Sequence, residues 1–297
     1  MQARDGTRLH LHHWPLPDAR RIALVTHGLG EHGGRHALLA RWLNARGWKV
    51  VAWDQRGHGL SAGSRGALRT PEDPVTDLED VIREVNPARQ PLLLIGHSAG
   101  GALAARFTLE HPGLVDALVL SSPAFAADLS RWQRTLLAFG NLCAPSLAQA
   151  NGLDPDFISH DRAVVQAYKE DPLVHDRVTA RLASAILDAG RAAVNAAPAW
   201  RVPTLLLYAG DDHFVAPRGS DAFAAAAPRD VVEVGRFDAL YHEIFSEGEA
   251  AAPVFAQLDR WMAGIDTAFR RPLASRACAS PSSVSRTRAL SHKVDVE

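Results

Sequence analysis

The sequence is poor in cysteine and has no dominant sign of charge. Only Cys143 and Cys278 occur among its 297 residues, too few for a disulfide scaffold, so we expect a reducing compartment. Basic and acidic residues number 32 and 33, which leaves a formal net charge of -1. This balance does not indicate nucleic acid or an anionic surface as a partner.

Long apolar runs are also missing. No uninterrupted apolar run reaches the roughly 18 residues that a membrane-spanning helix needs. Residues 1–14 contain neither an apolar core nor a small-residue cleavage site, so a secretory signal is not expected. The sequence therefore predicts a cytoplasmic protein. With 47% hydrophobic and 22% charged residues, the composition is typical of a globular chain with a large core.

Short apolar segments alternate with segments of helical period along most of the chain. The apolar segments predict strands at residues 21–27, 48–53, 91–95, 115–120, 204–208 and 231–234. Helical patterns follow the first three of these segments and fill the long interval before residue 203, and a last helix is predicted over residues 249–262. This alternation predicts an α/β fold with a mostly parallel central sheet and helices on both faces.

One interval breaks the alternation. Between Pro123 and Pro203 we find no convincing strand, and the interval is far longer than a simple crossover needs. Its helical patterns predict an inserted helical cap, residues 124–200, after the sixth strand and over the carboxyl ends of the strands. The core then comprises residues 1–123 and 201–266. Residues 267–297 lack periodicity and predict a disordered tail, with a bound regulatory tail as the alternative.

A candidate nucleophile lies in the segment Gly96-His97-Ser98-Ala99-Gly100. This G-x-S-x-G pattern follows a predicted strand and precedes a predicted helix, which is the context of a serine held on a tight strand-to-helix turn. The two glycines are required because bulky side chains two residues from the serine would clash there. A glycine-rich turn with an incidental serine is the alternative.

A nucleophilic serine needs a histidine base and a carboxylate that orients it, in the chain order Ser, Asp or Glu, His. Of the later histidines, His213 adjoins the candidate acids and His292 lies in the predicted tail, which leaves His242. The acid should follow the strand at residues 204–208, where Asp211 and Asp212 are adjacent. The residues alone do not separate these two, and Glu233 and Asp238 are weaker candidates.

Backbone N–H groups should stabilise the oxyanion of an acyl-transfer reaction. We expect one from Ala99, directly after the serine, and one from Leu29 in the glycine-rich loop after an early strand. No metal and no cofactor is needed for this chemistry. A metal site at three histidines beside that loop is the alternative, but their spacing matches no established ligand pattern: His27, His32 and His36.

Several segments together resemble the α/β-hydrolase superfamily, and within it the monoacylglycerol lipase and lysophospholipase-like group of the S33 type. They are HGLGEHGGRH (27–36), DQRGHGLS (54–61), GHSAGG (96–101), SPAF (122–125), DPLVH (171–175) and YHE (241–243). The resemblance covers residues 5 to 265. One departure is Ala99, where the group usually has Met, which opens volume beside the oxyanion hole.

The resemblance implies a site and a substrate class. Its D-x-x-V pattern fits Asp212 and Val215 and not Asp211, so the implied triad is Ser98, Asp212 and His242. It implies a carboxylic-ester hydrolase acting on a small single-chain lipid ester, with loop-bracing roles for Asp54, Arg56 and His58. The alternatives are a thioesterase, a general carboxylesterase or an aminopeptidase on the same fold, or a non-catalytic binding protein.

The cap contains apolar residues whose role the sequence leaves open. They either pack into the core of the cap, which is the favoured interpretation, or form an apolar lip that touches membranes transiently and makes the protein peripheral: Trp132, Leu136, Leu137 and Phe139.

Overall fold

The structure, a computed structural model, describes residues 1–269. Its strands are β1 (Leu11–Trp14), β2 (Ile22–Thr26), β3 (Lys49–Trp53), β4 (Leu92–His97), β5 (Ala117–Ser121), β6 (Ala148–Ala150), β7 (Arg177–Thr179), β8 (Thr204–Ala209) and β9 (Val232–Phe237). Its α-helices are α1 (Ala37–Asn44), α2 (Asp73–Val85), α3 (Ser98–Glu110), α4 (Arg131–Cys143), α5 (Arg162–Glu170), α6 (Ala180–Ala196), α7 (Pro217–Ala226) and α8 (Ala252–Phe269).

Seven strands form one sheet in the order β1-β3-β2-β4-β5-β8-β9. Every pair is parallel except β1 with β3, which is antiparallel at one edge. The strands β2, β4, β5 and β8 are buried along their whole length, as the apolar runs predicted. The expected α/β-hydrolase sheet with helices on both faces is confirmed.

Helices cover the sheet in two layers. On one face α1 and α8 pack against the strands through Leu43 and Val254, among others. On the other face α2, α3 and α7 do so through Leu78, Phe107 and Phe223. Because the parallel strands all end at the same edge, the loops after β2, β4, β8 and β9 meet there.

The segment between β5 and β8 differs in two details from the expectation. It follows the fifth strand and not a sixth, because the N-terminal residues form only one isolated bridge, between Gln2 and Arg8. It also contains the antiparallel pair β6–β7, where no strand was expected. Strands of three residues are too short to leave a periodic signal, and their pairing partner is remote in sequence.

The sequence patterns did not predict two elements of the core, β1 and α7. At the other end of the chain, the predicted tail, residues 267–297, lies outside the described residues except for its first three, which belong to α8. Among the described helices, none combines the length and the apolarity needed to span a bilayer.

Gly190 in α6 offers a test of how the cap is seated. A Cβ at Gly190 would lie 2.5 Å from the carbonyl oxygen of Ala124 and 2.8 Å from the Cα of Phe125. We expect Gly190→Ala to lower the free energy of unfolding by about 1–3 kcal/mol, because backbone atoms must move apart. Chemical denaturation measures this change.

Gly140 in α4 provides the matched control, because a Cβ there would meet only the Ala180 Cβ at 3.4 Å. Gly140→Ala should be neutral or stabilise by up to about 1 kcal/mol, as expected when Ala replaces Gly within a helix. Equal effects of the two substitutions would contradict the close seating of α6 on residues 124–125.

Candidate active site

Ser98 lies at the turn between β4 and α3, in the strained backbone conformation that the motif requires. Its φ is +54°, in the left-handed region that serine rarely adopts. The neighbouring backbone leaves no room for side chains: a Cβ at Gly100 would collide with the carbonyl oxygens of Thr26 and His27. The turn thus presses the first residues of α3 against the end of β2, and Ser98 occupies the N-terminus of the helix.

The loops after β8 and β9 bring Asp212 and His242 together. His242 Nδ1 lies 2.7 Å from Asp212 Oδ2, and both side chains are almost fully buried. The other carboxylate oxygen, Oδ1, accepts backbone N–H groups from Phe214 and Val215 at 2.8 and 3.0 Å. The carboxylate is therefore held on both sides and can orient the imidazole ring.

Asp211 and His213 point elsewhere. Their side chains form their own contact of 3.1 Å, and both are about half exposed. His292, the third histidine that followed the candidate acids, lies outside the described residues.

The surroundings of His242 set its protonation. Burial works to lower the pKa of His242. The charge and the hydrogen bond of Asp212 outweigh this effect, together with the negative charges of Glu243 and Glu31, so the pKa is raised above its ordinary value. The ring stacks on Phe214 and lies 4.7 Å from the ring of His97, the residue before Ser98. Its Nε2 atom is buried and has no hydrogen-bond partner among the described residues, Ser98 included.

The glycine-rich loop after β2 carries Leu29 and lies directly beside Ser98. A Cβ at Gly28 would be 3.0 Å from the Cβ of Ser98. His27 Nδ1–H donates to the Gly28 carbonyl at 2.7 Å, and its Nε2 accepts the backbone N–H of Gln55 at 2.9 Å. Burial lowers the pKa of His27 to about 4, so the ring stays neutral and keeps both bonds at neutral pH.

A buried ion network connects this loop to the loop of His242. Glu31 Oε1 accepts the Gly28 N–H at 2.5 Å, while its Oε2 pairs with Arg35 Nε at 3.2 Å. Arg35 Nη2 in turn lies 2.7 and 2.9 Å from the two carboxylate oxygens of Glu243, the residue after His242. No more than about a tenth of any of these three side chains is exposed. The Arg35 guanidinium also lies 4.6 Å from the ring of Tyr168 in α5.

The cap contacts the same loops directly. His175 donates its backbone N–H to the Gly30 carbonyl at 2.8 Å, and Asp171 Oδ2 lies 2.9 Å from His32 Nε2. On the other side, Glu243 donates its backbone N–H to the carbonyl of Ile158 at 2.9 Å. The DPLVH segment (171–175) is therefore one of the points at which the cap is fixed to the core.

The loop after β3 is braced by hydrogen bonds, as the resemblance implied. Asp54 accepts backbone N–H groups from Gly33 and Leu60, both at 2.8 Å. Arg56 donates to Asp77 at 2.6 Å and to Asp73 at 3.0 Å. The His58 ring lies 3.0 Å from the carbonyl of Arg56 through Nδ1 and is fully buried.

The structure does not support the alternative metal site at the glycine-rich loop, because His27 and His32 are engaged by protein groups and do not converge with His36 on one point. In the described part of the chain, only His10, His12 and Asp54 bring three potential ligand atoms within reach of one ion. That cluster lies at the edge strand β1, and Asp54 already accepts two backbone amides there.

The favoured interpretation of the cap's apolar residues is wrong. No residue of α4 is buried; Trp132 is 72% and Phe139 is 62% exposed, and Leu136 is exposed as well. Leu137 alone of the four is partly covered. The apolar face continues with Leu142, which is 82% exposed.

The ion network beside the site was not predicted from the sequence. Its residues are Glu31 and Arg35, in the HGLGEHGGRH segment, and Glu243, in the YHE segment. These motifs are the only sequence feature that marks the three residues. The sequence does not show which of their side chains pair, because Arg35 and Glu243 are 208 positions apart.

Comparisons with known proteins agree with this architecture. Residues 17–249 match the family described as serine aminopeptidase, S33. A monoacylglycerol lipase of Mycolicibacterium smegmatis is 33% identical over 251 residues, which cover 82% of this chain and 89% of that protein. An uncharacterised abhydrolase domain-containing protein of Dictyostelium discoideum is 35% identical over 254 residues; these cover 82% of this chain but only 26% of that longer protein.

A solved structure is similar along nearly the same length. The crystal structure of the Paleococcus ferrophilus monoacylglycerol lipase superposes with a TM-score of 0.80 and 31% sequence identity. The superposition covers 86% of this chain and 99% of that one. This chain is therefore a hydrolase of the lipase and esterase kind, and it belongs to the serine aminopeptidase S33 family of α/β-hydrolases, in the monoacylglycerol lipase-like group.

Proposed function

We propose that the protein hydrolyses carboxylic esters of single-acyl-chain lipids, as a monoacylglycerol lipase or lysophospholipase, through Ser98, His242 and Asp212. The observation that carries the proposal is the orientation of His242. Its Nδ1 is fixed by a buried carboxylate, and its Nε2 is buried without a partner among the described residues. Its ring lies 4.7 Å from the ring of His97, the residue before Ser98. A ring held in this way is ready to accept a proton.

In the first half-reaction, Ser98 Oγ attacks the ester carbonyl carbon and its proton passes to His242 Nε2. The carbonyl oxygen becomes an oxyanion, which accepts the N–H groups of Leu29 and Ala99. The Ala99 N–H suits this role because the first amides of a helix have no acceptor within it. His242 then protonates the leaving alkoxy oxygen as the carbon–oxygen bond breaks, which leaves an acyl group on Ser98.

In the second half-reaction, water attacks the acyl carbon and gives a proton to His242. The second tetrahedral intermediate collapses, the carboxylic acid leaves, and Ser98 regains its proton from the imidazolium. Asp212 stays ionised throughout: burial works to raise its pKa, but the charge and hydrogen bond of His242 and two backbone N–H groups lower it. No metal or cofactor takes part.

The substrate class rests on the relatives and on the cap. The Mycolicibacterium and Paleococcus proteins that this chain resembles are monoacylglycerol lipases. The exposed apolar face of α4, formed by Trp132, Leu136, Phe139 and Leu142, would suit a surface that meets lipid. We therefore propose a cytoplasmic enzyme that contacts membranes transiently through this face, which we call the α4 lip.

A fluorophosphonate probe tests the nucleophile. The wild type should be labelled and should hydrolyse monoacylglycerols and lysophospholipids, whereas Ser98→Ala should lose labelling and at least about a thousandfold in kcat/KM. Ser64→Ala, at an exposed serine in the loop after β3, is the control and should behave as the wild type.

Two outcomes would count against the proposal. Labelling of Ser98→Ala would remove the nucleophile assignment. Thioesters turned over as fast as the matching oxygen esters would replace the lipase with a thioesterase.

The pH profile tests the pair His242 and Asp212. Because the base must be neutral, kcat/KM should rise with pH through the pKa of His242, above the ordinary value of about 6.5. Asp212→Asn removes the charge that raises this pKa, so the acid limb should move to lower pH and kcat should fall on the order of a thousandfold. The adjacent Asp211→Asn is the control, and an equal loss in both variants would contradict the assignment.

Liposome co-sedimentation tests the α4 lip. Trp132→Asp should reduce the bound fraction several-fold, because a charged side chain replaces the most exposed aromatic ring of the lip at the interface. Leu38→Asp, at a half-exposed leucine on α1, is the control and should leave binding unchanged. Unchanged sedimentation of Trp132→Asp would remove the membrane role of α4.

A further inference from the structure

A narrow apolar pocket lies between α3 and α6, and no step of the mechanism above uses it. The residues of the two proposed oxyanion donors, Leu29 and Ala99, line one end. Leu103 of α3 and Ala185 and Ala189 of α6 line its sides, and Arg106 lines the far end. The empty space, including the open mouth, is about 420 Å³. We call it the α3–α6 pocket.

The position of this pocket decides what can enter it. A carbonyl oxygen held by the N–H groups of Leu29 and Ala99 would direct one of its two substituents into the pocket. Most of the lining is apolar, although Gln55 and His58 also belong to it, whereas the alcohol that leaves a single-chain lipid is polar. The apolar substituent, which is the acyl chain, therefore fits the pocket better than the alcohol does.

Small side chains keep the pocket open. Ala99 projects from α3, and Ala185 and Ala189 project from α6 on the facing side. A residue of ordinary length at any of these positions would fill the space between the helices. The pocket thus depends on alanine on both of its walls.

The pocket also has a defined length. Ala99, Leu103 and Arg106 stand at positions i, i+4 and i+7 of α3 and so share one helix face. Seven residues of helix span about 10 Å. An extended alkyl chain advances about 1.3 Å per carbon, because carbon–carbon bonds of about 1.5 Å zigzag at tetrahedral angles. About eight carbons therefore reach from Ala99 to Arg106.

The far end is polar and held in place. Arg106 Nε donates to Glu110 at 2.6 Å, and its Nη1 donates to the Pro71 carbonyl at 3.4 Å. A terminal methyl group that advanced further would have to displace this charged group from its partners. The side chain of Arg106 therefore closes the apolar space.

We propose that the α3–α6 pocket binds the acyl chain and limits it to medium length, about eight to ten carbons, with Arg106 as its end. The inference rests on the proposed ester hydrolysis at Ser98 and names the acyl group that this reaction takes. Ala185 is a specificity-determining position, because its side chain borders the path of the chain without contacting the reacting atoms.

The test measures kcat/KM on p-nitrophenyl esters from acetate to tetradecanoate, dispersed in one nonionic detergent. All have the same leaving group, so differences report the acyl chain. In the wild type kcat/KM should rise by about two- to fourfold per methylene up to octanoate or decanoate and fall beyond. Ala185→Leu should lower the decanoate-to-acetate ratio at least about tenfold. Ala192→Leu, on the exposed side of α6, is the matched control and should keep the wild-type ratio.

A second variant probes the far end and does not depend on the folding of the first. Arg106→Leu removes a partly exposed charge and should move the preferred length upward by about two to four carbons. An unchanged optimum in this variant would overturn the role of Arg106.

The outcomes separate the two proposals. If no ester is hydrolysed and Ser98 is not labelled by the fluorophosphonate, the proposed function fails. If esters are hydrolysed but the wild type turns over tetradecanoate as well as decanoate, the pocket assignment is overturned while the hydrolase stands. An equal loss on acetate and decanoate in Ala185→Leu, with Ala192→Leu unaffected, overturns the assignment in the same way.

Discussion

The contact on which the site depends is the pairing of Arg35 with Glu31 and Glu243. Three charges removed from water are tolerated only while they remain paired, and the loss of one partner typically costs several kcal/mol. Glu31 holds the backbone of Gly28, and Glu243 adjoins His242. Tyr168 of the cap covers the guanidinium. The conformations of the glycine-rich loop, the histidine loop and the cap therefore depend on the same ion pairs, although the three segments are remote in sequence.

The sequence predicted the sheet well except at the edge formed by β1. Strands such as β2 and β4 are buried on both faces, so each is a continuous apolar run that needs no knowledge of its neighbours. At the edge, β1 reads LHHW and owes its strand conformation to pairing with β3. The pair β6–β7 has the same origin. Local pattern does not contain such pairings, because their partners are set by the tertiary fold.

The candidate site likewise contains residues that local sequence predicts and residues that only tertiary contacts determine. Ser98 was predictable because its constraints are local: a strand, two close-packed glycines and a helix start within a few residues. Asp212 could not be separated from Asp211 on the residues alone, since only the folded loop turns one carboxylate toward His242 and the other toward His213. The apolar residues of α4 suggested packing, because an amphipathic pattern is the same whether its apolar face is covered or bare.

The exposure of α4 has a consequence for how its sequence can change during evolution. The helix buries none of its residues and begins with a capping box formed by Ser130 and Gln133, so its local signals support it without core packing. Substitutions along most of its length would leave the free energy of folding nearly unchanged. Selection can therefore adjust the surface that meets the environment separately from the machinery beneath it. On the facing sides of α3 and α6, by contrast, a new side chain changes packing and pocket at once, so these two surfaces can diverge only in step with each other.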